Sequence, residues 1–146
     1  MRKIATLIAA LMLAFALPVT AQSIKPLDPN TATQAQIAAV PGLAPLAADI
    51  VAKRPYASPT AFAGALSSLT PEQRTQIFTR LWVPMNLNTA TPDDIMLVPG
   101  MSRRMMNEFR EYRPYSRIEQ FRREIGKYVS KEEVARLEQY VFVPVK

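Results

Sequence analysis

One 13-residue block occurs twice in this chain, and that copy constrains the fold more than any other feature. Asn30-Thr31-Ala32-Thr33-Gln34-Ala35-Gln36-Ile37-Ala38-Ala39-Val40-Pro41-Gly42 returns as Asn88-Thr89-Ala90-Thr91-Pro92-Asp93-Asp94-Ile95-Met96-Leu97-Val98-Pro99-Gly100, with eight of 13 positions identical at an offset of 58. The likeness continues beyond the block. Arg54-Pro55-Tyr56 matches Arg113-Pro114-Tyr115, and Phe62 matches Phe121, at an offset of 59. Thr70-Pro71-Glu72-Gln73 matches Ser130-Lys131-Glu132-Glu133, and Leu81-Trp82-Val83-Pro84 matches Val141-Phe142-Val143-Pro144, at an offset of 60. Self-similarity at a fixed period marks a repeated structural unit. Two such units, 22–84 and 85–146, fill the chain after its first 21 residues.

Those 21 residues read as a secretory signal peptide. Arg2 and Lys3 precede the uncharged 14-residue stretch Ile4 to Leu17, Pro18 interrupts it, and Val19-Thr20-Ala21 offers small residues for cleavage after Ala21. The apolar stretch is short for a bilayer core of roughly 30 Å. The expectation is a periplasmic or secreted protein with no stable membrane span once the signal is removed. The chain has no Cys, which excludes disulfides and a lipidated N-terminal cysteine. The net charge of +6 falls to +4 without Arg2 and Lys3, shared equally between the units. This balance permits a polyanionic partner without demanding one.

Both units read as helices, and no strand pattern is evident. Thr33-x-x-Gln36, Thr91-x-x-Asp94, Thr70-x-x-Gln73, Ser116-x-x-Glu119 and Ser130-x-x-Glu133 carry the signature of N-caps. Ile37 and Val40, and likewise Ile95 and Val98, give the apolar side of a short first helix, which Pro-Gly then ends. The second helix has Ala47, Ile50 and Val51 as its apolar face in one unit and Met105, Phe109 and Tyr112 in the other. Arg-Pro-Tyr ends it, and final helices run from about Glu72 to Leu81 and about Glu132 to Val141. Tyr56, Tyr115, Trp82 and Phe142 are expected in the core, with Met96, Met101, Met105 and Met106 as adaptable filler. Whether the units pack together or swing about Val83-Pro84-Met85 is left open.

The Asn-Thr-Ala-Thr lead-in, the Val-Pro-Gly hairpin, the second helix and the Arg-Pro-Tyr segment resemble, in that order, the helix-hairpin-helix modules of ComEA-like competence proteins. They are also similar to the extrinsic photosystem II subunit of that fold. The resemblance implies an all-α protein of two tandem helix-hairpin-helix (SAM/ComEA-like) units. It further implies non-specific binding to the backbone phosphates of double-stranded DNA, as in DNA uptake. In DNA-binding relatives a Gly-hydrophobic-Gly turn lets backbone N–H groups at a helix start approach one phosphate. Here the turns are Gly42-Leu43-Ala44-Pro45 and Gly100-Met101-Ser102-Arg103, and the second glycine is missing from both.

The implied phosphate contacts are therefore Gly42, Leu43 and Ala44 in the first hairpin. In the second they are Gly100, Met101, Ser102, Arg103 and Arg104, with Arg110 on the same helix face as Arg103 and Asn107, and Arg113 one further turn along that row. Arg103 and Arg104 in a first helical turn oppose the helix dipole, a conflict that a bound anion would relieve. Glu108 and Glu111 are interleaved with this face and offer an alternative in which it is simply solvated. The absence of His and Cys excludes thiol nucleophiles, His-based triads and nearly all zinc chemistry. A non-enzymatic protein without catalytic residues, metal or cofactor is expected. The competing expectation is an interaction or structural module with degenerate hairpins, whose partner is an envelope protein.

Overall fold

A computed structural model describes residues 25–144; the expected signal peptide, 1–21, lies outside the described residues. The described chain is mostly helical. The first half holds α1 (Gln34–Ala38), a 3-10 turn (Ala44–Leu46), α2 (Ala47–Ala52), α3 (Pro59–Ala65) and α4 (Pro71–Phe78). The second holds β1 (Met85–Asn86), α5 (Pro92–Met96), α6 (Arg103–Glu111), α7 (Ile118–Ile125), α8 (Lys131–Glu138) and β2 (Val141–Phe142).

Side-chain caps start most of these helices. Thr33, Thr70 and Thr91 form reciprocal capping boxes with Gln36, Gln73 and Asp94, and Ser130 caps α8 through Glu133 N. Such caps matter because helices this short gain little from propagation alone. Ser116 does not cap. Its N–H and hydroxyl bond Gln120 Oε1, and α7 starts at Ile118 with Arg117 in the N-cap position, which makes no side-chain cap. The caps missed by the sequence pattern are Ser58 on α3, with Pro59 at the first helical position, and Ser102 on α6.

The repeated lead-in and the repeated Arg-Pro-Tyr segment recur together because they bind each other. Asn30 donates to Tyr56 O at 3.0 Å and accepts from Tyr56 N at 2.7 Å. Asn88 does the same with Tyr115, at 2.9 and 2.6 Å. Arg54 donates to the carbonyls of Pro29 and Ala32, and Arg113 to that of Ala90 at 2.8 Å. Both Arg-Pro bonds are cis. Asp28 and Asn86 start the lead-in by accepting from the N–H two residues on.

Each half closes on itself by a short parallel pairing that no sequence pattern announced. Leu27 bridges Leu81 in the first half, and β1 pairs with β2 in the second. Successive strands on a parallel ladder need a long crossover, and here each crossover is the helical half itself.

The halves pack together. A row of rings runs Tyr56, Phe62, Phe78, Trp82 and then Tyr140 of the other half, with centroids 5.1–6.2 Å apart. Trp82 Nε1 and Met85 N both donate to Tyr140 O, which pins the connection on either side of Pro84. Asp94 is buried at the same junction. Its Oδ1 accepts from Thr60 N and Oγ1 on α3, while Oδ2 accepts from Thr91 at the start of its own helix. Burial pushes its carboxyl up, but the hydrogen bonds from Thr60 and Thr91 outweigh this and leave its pKa below the ordinary value.

The core expectations hold for Tyr56, Tyr115 and Trp82, which are buried, and for Met101, Met105 and Met106, which pack partly buried against the core. They fail for Phe142 and Met96, both exposed. Trp82 is covered because the second half packs over it; no described residue covers Phe142 in the same way.

Candidate nucleic-acid interface

The two hairpins turn identically and then diverge. Gly42 and Gly100 have φ of +86° and +77°, a region that residues with a Cβ avoid. The next residue closes the turn, Leu43 N to Val40 O and Met101 N to Val98 O, each at 3.0 Å. Leu43 is fully buried and anchors the turn from inside, so it is not placed to touch a ligand; Met101 is half-buried.

Beyond this point the first hairpin continues as a 3-10 turn. Ala44 is exposed and Pro45 has no N–H to offer an anion. The six-residue α2 then begins without a side-chain cap and with Asp49 in its first turn. A carboxylate there repels the group that a phosphate site must attract.

The second hairpin instead leads directly into the nine-residue α6. Ser102 is its N-cap, and its Oγ accepts from Met105 N at 3.1 Å. That bond occupies the hydroxyl as an acceptor and leaves its proton free to donate. Among the described residues, no hydrogen-bond acceptor is present for the backbone N–H of Ser102, Arg103 or Arg104. Arg103 and Arg104 are exposed, and the first turn holds no acidic residue. Several donors therefore lie at the positive end of one helix, with Arg103 and Arg104 in its first turn.

The basic face expected along α6 is shorter than its spacing suggests. Arg113 turns inward to the lead-in carbonyl and leaves the surface row. Arg110 is exposed in the last turn, where a cation suits the helix dipole without a ligand. Arg104 lies over the ring of Tyr128, with 5.8 Å to the centroid. Neither Glu108 nor Glu111 forms an ion pair with Arg103, Arg104 or Arg110 among the described residues. Glu108 lies instead beside Tyr128, whose hydroxyl bonds Tyr112 at 2.7 Å.

Two residues of this site gave no usable signal in the sequence. Arg136 on α8 donates to Pro99 O at 2.9 Å while both its other nitrogens hold Glu133, so it braces the second hairpin from behind. Its counterpart in the first half is Gln76, which is exposed. Arg74 on α4 lines a cleft with Gly100 and Met101, bringing a first-half cation to the second hairpin. The basic residues of α7 and of the turn after it are engaged: Arg122 with Glu119 and Glu138, and Arg123 and Lys127 with Glu124. No helix among the described residues is long and apolar enough to cross a membrane.

Comparison with protein-family models, with curated proteins and with solved structures returned no match.

Proposed function

We propose that the chain is an exported, non-enzymatic protein of two tandem helix-hairpin-helix units that binds duplex DNA non-specifically through one backbone phosphate site. That site comprises Gly100, Met101, Ser102, Arg103 and Arg104, with Arg74 beside it. The observation that carries this reading is the start of α6: free N–H groups, a serine hydroxyl and two exposed arginines, with no carboxylate in the turn. The first hairpin, with Leu43 buried and Pro45 and Asp49 downstream, serves the fold. Phosphate contacts of this kind position a protein on DNA and carry no sequence information.

The test is a titration with unrelated duplexes at low and moderate salt. Binding is expected at ~50 mM salt and should weaken steeply above it. Arg103→Glu with Arg104→Glu should lower affinity by about 100-fold, since each reversal costs at least one phosphate contact. Lys53→Glu with Arg117→Glu, an equal charge change at exposed sites away from the hairpin, should cost no more than about threefold through net charge. Equal losses in the two pairs, or no binding at ~50 mM salt, would sink the reading.

A second reading, an interaction or structural module, is supported by a different observation. Phe142 and Leu27, large apolar residues at opposite ends of the repeat, are exposed.

A further inference from the structure

The junction between the halves has one counterpart at α7 and α8 and another at the first hairpin, and Lys25 lines the surface beside both. At the junction, Pro71, Arg74, Thr75 and Phe78 of α4 face the second hairpin turn, Met96 to Met101. Sixty residues on, their counterparts are Lys131, Val134, Ala135 and Glu138 of α8. All four line an open groove of about 590 Å³ between α7 and α8, with Gly126, Val129 and Val134 as its apolar part and Glu119, Arg122 and Arg123 also lining it, where Arg122 pairs with Glu119 and Glu138. The exposures show the same pattern. Trp82 is 1 % exposed at the junction, and its counterpart Phe142 is 44 % exposed. Met85 is 3 % exposed there, and its counterpart Leu27 is 38 % exposed beside Ala39, Val40 and Pro41 of the first hairpin.

We propose that the α7–α8 groove receives the first hairpin turn, Ala38 to Gly42, of a second copy of this chain. Copies then join head to tail by repeating the junction that already holds the two halves together.

The polar partners transpose as well. At the junction Asp94 Oδ1 accepts from Thr60. Their counterparts are Gln36 and Glu119, a donor–acceptor pair with the roles reversed. Gln36 uses its carbonyl oxygen to bond Thr33 N, which leaves its NH₂ for the Glu119 carboxylate of the other copy. Trp82 meets Tyr140 edge to face; their counterparts are Phe142 and Arg80, which form a cation–π pair at the same place. The turn itself, Ala38 to Gly42, is uncharged and suits an apolar floor. An interface between different ends of identical subunits leaves one unpaired end of each kind, so copies add head to tail, as an open chain unless the rotation between copies closes a ring. The inference rests on packing and stands apart from the phosphate site.

Two variants test it. Ala135→Glu places a carboxylate in the groove and Ala39→Glu places one on the turn; both positions are exposed. Unchanged circular dichroism and Tm establish that both still fold. In sedimentation equilibrium without nucleic acid, the parent chain should gain mass with concentration up to about 1 mM. Each variant alone should remain at the monomer mass. Their equimolar mixture should form a dimer and stop there, since each retains one sound end. A parent chain that stays monomeric throughout overturns the proposal. So do variants that associate alone as the parent does, which would implicate another surface, and so does a mixture that fails to pair.

Discussion

The turn after α1 and the turn after α5 are closed by the same hydrogen bonds at the same distance, yet they lead into different helices. The first passes through a 3-10 turn containing Pro45 into a six-residue helix with an acid in its first turn. The second passes through Ser102 into a nine-residue helix with two arginines in its first turn and no acid. What the copies share is the part each half needs to fold: capped first helix, positive-φ glycine, and the lead-in bound to Arg-Pro-Tyr. Their backbones part after the turn, where one enters a 3-10 turn and the other an α-helix. The divergence lies outside the scaffold, which is satisfied in both halves, and only the second hairpin leads into a first turn with two arginines and no acid. The ends of the halves differ for another reason. The end segment carrying Trp82 is covered by its neighbour and the one carrying Phe142 is not.

The sharpest way to break that second contrast is to truncate both rings. Trp82→Ala should cost about 3–5 kcal/mol, as expected for removing a buried large aromatic side chain, and it also strips the ring that links Phe78 to Tyr140. Phe142→Ala should change stability by no more than about 0.5 kcal/mol in dilute protein, as for an exposed position. Urea unfolding with an unchanged m-value checks both. Similar costs for the two would mean that the second ring is covered after all.

A smaller effect separates Asp94 from its counterpart Gln36. Both complete a capping box, but only Asp94 also accepts from Thr60 across the junction. Asp94→Ala should cost about 2–3 kcal/mol, because charge-assisted hydrogen bonds are lost and their donors are left unpaired. Gln36→Ala should cost about 0.5–1 kcal/mol, as for loss of a cap. The pH dependence is set by the sign of the shift. The folded pKa of Asp94 lies below its unfolded value near 3.9. Its contribution is therefore complete above about pH 4 and is lost as the pH falls through the folded pKa. Unfolding free energies measured from about pH 6 to pH 2 should decline in acid, and Asp94→Asn should flatten that decline. Glu72, Glu124, Glu132 and Glu133 are also shifted down, so a residual slope remains in the variant.

Much of the scaffold was readable from short-range chemistry. The capping boxes of Thr33, Thr70 and Thr91 and the Pro-Gly stops depend on residues a few positions apart, and all fall where the pattern puts them. The misses depend on distant partners. Arg113 continues the surface spacing of Arg103 and Arg110, but a carbonyl 23 residues earlier draws it inward. Arg136 looks like an ordinary surface partner of Glu133, yet it also reaches Pro99, 37 residues away. Arg74 belongs to the other half of the repeat and reaches the hairpin only through the junction. Ser116 fails as a cap because Gln120 engages it first. Phe142 was assigned to the core by its match to Trp82, but burial depends on the neighbours that pack over a residue as well as on its place in the unit.

The least costly comparison is between the two hairpin glycines. Each holds a positive φ, so Gly42→Ala and Gly100→Ala should each lose about 1–2 kcal/mol, the strain of a Cβ in the left-handed region. Space does not distinguish them. A Cβ at Gly42 meets nothing within 4 Å, and one at Gly100 meets only Arg136 Nη2 at 3.5 Å, an ordinary contact. The two losses should therefore agree within about 0.5 kcal/mol, the scale of context effects between independent sites. Function should tell them apart where stability does not. If a phosphate sits against α6, Gly100→Ala should weaken duplex binding through the moved backbone, while Gly42→Ala should leave it unchanged. Equal stability losses with equal binding losses would assign both hairpins the same role, and the contrast between them would then have no functional content.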